Sequence, residues 1–373
     1  MQYRKLPKGT EQISILGLGT SSIQASSERE IEEIVSYAMD QGINYFDMAS
    51  SEAKPFAAYG RAIRGRRQDA YFQIHFGANY ETGTYGWTTD LDTVKRSVDW
   101  QLKQLGTDYI DFGFIHCIDE VSDLRSVQES GILDHILSLK KQGVVRHVGL
   151  SSHTPELVNR ILDMGILDML MFSINPAYDY GGSGSDYDGD DYAIGSVKER
   201  MDLYRRCEKE GVGISVMKSF SGGQLLSART SPFGKALTEY QCIQYALDKP
   251  GVLTVLPGIR DKKDLKRILG FCEASEAKRD YSVIATFAPQ EAEGACVYCN
   301  HCQPCPMGLN VGLINKYYDL ALAGDHLAED HYFKLETPAD ACVGCGHCND
   351  RCPFHVDQVA RMERIREYFA SKA

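Results

Sequence analysis

The stretch SEREIEEIVSYAMDQGINYFDMA, Ser27 to Ala49, holds one complete helix-to-strand unit, and the chain repeats it to about residue 270. Ser27 and Glu30 stand three apart ahead of an apolar run, the spacing of a capping box. Ile31, Ile34, Val35 and Ala38 then recur at helical intervals on one face. Gly42 follows where a helix needs a left-handed residue to stop. Directly after it comes INYFDMA, a short apolar strand that ends on Asp47. A carboxylate buried without a partner is costly, so Asp47 is expected to open onto a shared polar site.

The same alternation continues to about residue 270. Strands are read at QISILGLG, INYFDMA, AYFQIHFG, DYIDFGFIH, HVGLSS, MLMFSI, GISVMKS and VLTVLPG. Helices lie between them, among them Leu91–Leu105, Gly131–Gln142 and Thr154–Leu162, the last with Thr154 as cap and Pro155 in its first turn. Eight repeats in strict order predict an α/β fold, a (β/α)8 TIM barrel over residues 1–280. An open doubly wound sheet is the alternative; no G-x-G-x-x-G follows the first strand to support it. Residues 281–373 break the pattern and are read as a small helical, two-cluster ferredoxin-like domain. One long insertion rich in Gly, Asp and Tyr, Pro176 to Ser196, is expected to be either a disordered surface loop or a lid over the mouth.

The net charge of −11, with no basic block, argues against a nucleic-acid partner and suits a small-molecule substrate. No apolar run approaches the roughly 18 residues of a membrane helix. The first residues, MQYRKLPKGTEQ, lack the apolar core of a signal peptide, so a cytoplasmic protein is expected.

Twelve cysteines without an export signal are not read as disulfides. Cys117, Cys207, Cys242 and Cys272 are scattered and read as core fillers, with Cys117 set apart by its place beside His116. The other eight form two runs. In CVGCGHCNDRCP, Cys342, Cys345, Cys348 and Cys352 keep the C-x2-C-x2-C-x3-C-P spacing of two-cluster ferredoxins. In CVYCNHCQPCP, Cys296, Cys299, Cys302 and Cys305 keep it with the last gap one shorter. Each run offers three thiolates to one cube while its fourth Cys reaches the other, which predicts two 4Fe-4S clusters. Zinc is the rival occupant of such four-cysteine sets. Exposed clusters imply an anaerobic or well-protected cytoplasm.

A TIM barrel builds its active site where strands end. The strand ends here are Asp47, His75, His116, the pair Ser151 and Ser152, Asn175, Lys218 and Ser219, and finally Gly258 and Arg260. With NYFDMA, DYIDFGFIH, RHVGLSSH, MKSFSGG and VLPGIR, the chain resembles the aldo-keto reductases, and its cysteine tail resembles the branch with a C-terminal ferredoxin-type domain. That resemblance implies an Asp, Tyr, Lys and His tetrad that reduces a carbonyl with NADPH. Asp47 and His116 match the Asp and His. Glu52 stands where the Tyr is expected, and His75 where the Lys is.

The cofactor positions depart as well. Ser151–Ser152 replaces a Ser-Asn pair, Met171 replaces a Gln, and Val216 or Met217 replaces an aromatic. Lys218, Ser219, the glycines after them, Gly258 and Arg260 still suit the phosphates of NADP(H) or NAD(H). Tyr59 reads as core, while Tyr80 and Tyr85 read equally as groups that reach the centre or as pocket walls with Trp87.

Three functions fit these residues. The first is a nicotinamide-dependent reductase of a small carbonyl, or oxidase of an alcohol, with Asp47, Glu52, His75 and His116 as its acid–base set. The second is a lyase or isomerase on the same groups, with or without a divalent metal. The third is an electron-transfer protein whose clusters are served by a flavin that divides the electron pair or are wired to an external partner, unless they are structural and only hold the tail folded.

Overall fold

The computed structural model describes residues 1–181, 194–286, 294, 296, 298, 302–322, 326–352 and 354–372. An eight-stranded parallel sheet runs β1 (Leu18–Gly19), β2 (Tyr45–Asp47), β3 (Tyr71–Phe76), β4 (Ile110–Ile115), β5 (Val145–Ser152), β6 (Met169–Ser173), β7 (Gly213–Met217) and β8 (Val252–Val255), each beside the next. A parallel bridge from Leu16 to Val255 closes it. This is the TIM barrel that the alternation predicts.

The first strand is shorter than expected. Gln12–Ser14 leaves the barrel and pairs antiparallel with Tyr3–Lys5. Leu6 and Ile13 of this hairpin join Tyr45, Phe112, Phe114, Met169 and Met171 in the barrel interior. The apolar run therefore serves two structures, a plug and a strand, and periodicity does not separate them. Gly17 marks the transition: a Cβ there would lie 2.6 Å from Leu256 and 3.0 Å from the Tyr45 carbonyl oxygen. Higher up, Phe114 fills the space opposite Gly149, whose Cβ would stand 2.4 Å from the Phe114 ring.

Around the strands lie α1 (Glu28–Asp40), α2 (Lys54–Ala62), α3 (Leu91–Leu105), α4 (Val121–Glu129), α5 (Ile132–Lys141) and α6 (Pro155–Leu162). The shell continues with α7 (Pro176–Gly181), α8 (Val197–Lys209), α9 (Glu239–Leu247) and α10 (Lys262–Leu269). The Ser27–Glu30 capping box forms as read, and α1 buries Ile31, Ile34, Val35 and Ala38. Each of the three larger side chains, Ile31, Ile34 and Val35, contributes about 1.5–3 kcal/mol through area removed from water. Thr154 does occupy the cap position of α6, yet its hydroxyl donates to the Asp119 carbonyl at 3.1 Å instead of capping. Tyr59 is core, as expected.

Just past residue 280, Tyr281 and Ile284 still pack in the shell, and Tyr281 donates to Asp248 at 2.8 Å. A short α11 (Glu276–Arg279) is the last helix of the shell, and the tail adds α12 (Val311–Leu322), α13 (His326–Tyr332), α14 (His347–Arg351) and α15 (Gln358–Ala370). It has its own small core around Leu309, Ile314, Tyr332, Met362 and Phe369. Arg205 of α8 donates to Tyr298, which donates to Asp319 of α12.

Residues 182–193 of the long insertion lie outside the described residues, so neither expectation for it is tested. Its two flanks are pinned by one side chain. The fully buried Arg200 pairs with Asp179 at 2.8 Å and donates to the Ile194 carbonyl at 3.1 Å. Tyr204 and Tyr245 also donate to Asp179, each at 2.6 Å. Removing one partner of a buried ion pair strands the other charge, at about 3–5 kcal/mol. Arg200→Met is expected to lower stability by about that amount in chemical denaturation; a loss under about 1 kcal/mol would show that Asp179 does not depend on the guanidinium.

Candidate active site and iron–sulfur ligands

Asp47 ends β2, His75 lies near the end of β3, and His116 follows β4, so three adjacent strands deliver these groups to the C-terminal mouth. His75 Nε2 donates to Asp47 Oδ1 at 2.7 Å. Nδ1 of His116 lies 2.9 Å from Nδ1 of His75, with the rings edge to face. Nε2 of His116 lies 2.9 Å from the phenol oxygen of Tyr85. One unbroken line, Asp47–His75–His116–Tyr85, thus begins in the barrel and ends on Tyr85, a residue that is 40% exposed.

Gln73, two residues before His75 and on the same face of β3, fixes the inner end. Its Oε1 accepts from Tyr45 at 2.6 Å and from Ser215 at 3.0 Å. That orients the amide nitrogen toward Asp47 Oδ1 at 2.9 Å. The same nitrogen touches Met171 Sδ, so Met171 contributes to this inner packing.

Tyr85 reaches the line because its loop is tied down at several points. Ala78–Asn79 and Gly86–Trp87 pair as a small hairpin. Tyr85 N donates to Ser51 O, and Ala53 N to Gly83 O, both at 2.9 Å. Trp87 Nε1 donates to the His116 carbonyl at 3.3 Å. Tyr80 is a wall: it is buried, with its hydroxyl on the backbone of Ser50. Glu52 is not brought to the cluster; its exposed carboxylate faces Lys54 at 3.7 Å. Its backbone forms an isolated antiparallel bridge with Thr84.

Burial, reinforced by the neighbouring His75, pushes the His116 imidazole well below its ordinary value. A neutral His116 can accept a proton from Tyr85. Burial and then Asp119 push the Cys117 thiol up to about 12, so Cys117 is no thiolate nucleophile. Cys117, Lys218 and Ser221 hold left-handed φ values of 52°, 55° and 49°, a strained conformation at two strand ends of the mouth.

The remaining expected cofactor residues divide into two groups. Ser151 Oγ accepts from Cys117 N at 2.8 Å, and Ser152 Oγ donates to Ile118 O at 2.7 Å. Asn175 donates to Lys218 O and accepts from Tyr178 N, both at 2.9 Å. These side chains hold neighbouring loops in place. The phosphate side differs: the Ser219 hydroxyl is buried with no partner among the described residues, and Gly222 and Gly223 face open space. Gly258 is exposed with only Ser22 near it, and Arg260 is paired with Asp264 at 2.8 Å while 75% exposed. A dinucleotide's phosphates fit this rim; its amide end does not find the expected side chains.

In the tail, Cys305 of the first run lines one pocket with Cys342, Cys345 and Cys348 of the second, against Leu309, Val311 and Met362. That crossed set, three thiols from one run and one from the other, fits a 4Fe-4S cluster. Cys296 and Cys352 pack against the barrel shell and Cys302 against the tail core. Cys299 lies outside the described residues. No described helix is long and apolar enough to cross a membrane.

Fold and mouth together define a TIM-barrel protein with an iron–sulfur tail. Residues 15–239 match the Aldo/keto reductase family and residues 294–356 the 4Fe-4S dicluster domain, and the chain belongs to the aldo/keto reductase family. It is 29% identical over 180 residues to the Uncharacterized oxidoreductase YqkF of Bacillus subtilis, covering 47% of this chain and 57% of that protein. It is 26% identical over 236 residues to Aldo-keto reductase yakc of Schizosaccharomyces pombe, whose name carries NADP(+), covering 60% of this chain and 63% of that one. The chain thus spans about three fifths of the length of these relatives. Among solved structures, aldo-keto reductase AKR11C1 from Bacillus halodurans (holo form) superposes with a TM-score of 0.62 at 23% identity, over 78% of this chain and 97% of that one, which shows the fold.

Gln73→Leu removes an acceptor from two buried hydroxyls and a donor from Asp47. It is expected to cost about 1–3 kcal/mol, read as a lowered melting temperature. An unchanged melting temperature would show that the amide is idle.

Proposed function

We propose that the chain is a carbonyl–alcohol oxidoreductase in which Tyr85 exchanges the proton with the substrate oxygen. The observation that carries this reading is the 2.9 Å contact of Tyr85 with His116, continued to Asp47 without a gap. Two states of the line differ by one proton. In the loaded state His75 is an imidazolium held by the Asp47 carboxylate; it donates through Nδ1 to His116, which donates through Nε2 to the Tyr85 oxygen. The phenol hydrogen is then directed at the substrate. When Tyr85 gives up that proton, the His116 Nε2 proton refills it, and His75 Nδ1 refills His116. In the discharged state Tyr85 donates back to His116 and His116 to His75, with His75 Nε2 still on Asp47. Alcohol oxidation runs the same shifts in reverse.

A nicotinamide dinucleotide, NADP(H) or NAD(H), would supply the hydride, with Ser219, the loop from Lys218 to Gly223, and Arg260 at its phosphates. The engaged Ser151, Ser152 and Asn175 side chains favour a second reading, a lyase or isomerase that uses the proton line without hydride. A fluorescence titration with NADPH separates the two. Saturable binding supports the first; turnover that needs Tyr85 in protein that binds no nicotinamide supports the second.

In the tail, the two clusters would be held by Cys342, Cys345, Cys348 and Cys305, and by Cys296, Cys299, Cys302 and Cys352. Clusters pass single electrons, so they do not join the two-electron step at Tyr85 without a group such as flavin to divide the pair. Cys345 is exposed, and Val343 beside it is 63% exposed, which suits exchange with an external electron partner.

Tyr85→Phe is expected to lower kcat for a carbonyl substrate by about 10²–10⁴-fold, with Glu52→Gln near wild type. A Tyr85→Phe enzyme within twofold of wild type would remove the phenol from the mechanism. Anaerobically purified protein should carry about eight irons per chain, and Cys305→Ala should disturb the cluster of the 342–348 run. A spectrum altered at the first run alone would refute the crossed ligand set.

A further inference from the structure

We propose that Cys117, Asp119 and His153 form a divalent-metal site, filled by zinc, on the wall of the barrel mouth. One donor atom from each of the three lies within 4.8 Å of the others. Asp119 Oδ2 stands 3.4 Å from Cys117 Sγ and 2.8 Å from His153 Nδ1. Tetrahedral zinc, with bonds of about 2.3 Å to sulfur and about 2.0 Å to nitrogen or oxygen, separates its donors by about 3.3–3.5 Å. The sulfur–oxygen pair already has that spacing; the oxygen–nitrogen pair must open by about half an ångström. A mixed thiolate, carboxylate and imidazole set suits zinc better than the oxygen-seeking magnesium or calcium.

The groups behind the donors are arranged as an outer shell. Asp119 Oδ1 accepts from His153 N at 2.6 Å, which leaves Oδ2 turned to the other two donors. Ser151 Oγ holds the Cys117 amide at 2.8 Å, and Cys117 itself keeps a left-handed φ of 52°. Asp123 adds a second carboxylate, which accepts from the Asp119 and Glu120 amides. Lys218 from the end of β7 is a cation that acts on Cys117 and competes for this negative charge. Binding would release the thiol proton and move the imidazole proton from Nδ1 to Nε2, so thiolate and carboxylate neutralise the ion. Three protein donors leave a fourth position for water or a substrate oxygen, one residue along the chain from His116.

Metal content is read without turnover, so this site stands or falls apart from the Tyr85 line. Anaerobic holoprotein would be given excess zinc and desalted over a chelating resin, and its zinc, iron and sulfide measured together. One zinc per chain at full iron is expected, with at least a tenfold loss in Cys117→Ala and Asp119→Asn and no change in iron. Wild type that holds under a tenth of a zinc at full iron, or variants that keep the zinc, would overturn the site. Should the variants fail to fold, zinc X-ray absorption on wild type decides: one sulfur at about 2.3 Å with nitrogen and oxygen supports the site. A shell of four sulfurs would put the zinc in the cluster cysteines and refute it.

Discussion

Asp47 sits 4% exposed at the end of a strand whose neighbours Tyr45 and Phe46 are fully buried. In such surroundings a carboxylate demands donors, and the two its side chain has among the described residues, His75 and the Gln73 amide, both converge on Oδ1. That demand organises the mouth. Gln73 is oriented from below by Tyr45 and Ser215, so the barrel interior sets the direction in which His75 faces outward. His75 in turn aligns His116, and His116 gathers the Tyr85–Trp87 hairpin through its ring and its carbonyl. Each contact sets the direction of the next, as in any chain of mutually polarised hydrogen bonds.

Much of this is legible in the sequence, because strand ends converge in a barrel whatever their side chains are. Asp47, His75 and His116 can therefore be grouped from the register of three strands alone. Gln73 escapes the sequence reading although a signal is present: in AYFQIHFG it alternates with His75, so the face that carries one carries the other. Tyr85 stays undecided there because its approach depends on backbone bonds from residues 51 and 53, which connect segments some thirty positions apart. Glu52 shows the reverse case. Its position in the chain matches that of the expected Tyr, but its carboxylate faces Lys54 and solvent.

Periodicity works well for amphipathic helices such as α1 and α3, and less well where one apolar run has two destinations. QISILGLG contains the plug and the first strand, and Gly17 between them is explained by crowding from Leu256 and Tyr45, which lie far along the chain. The serines and asparagine at the ends of β5 and β6 make the same point for the site. Residue type marks them as polar groups at the rim, but whether they turn to a ligand or to a neighbouring loop depends on the path of residues 117–119 and 218. The cysteine runs are the most readable element, since cluster ligation needs a fixed spacing and little else.

Arg200 touches both flanks of the long excursion after β6, through Asp179 on one side and the Ile194 carbonyl on the other. The excursion thus begins and ends at a single fastened point on the barrel. Whatever sequence is spliced between those anchors inherits a closed base, so its length and chemistry can drift independently of the scaffold.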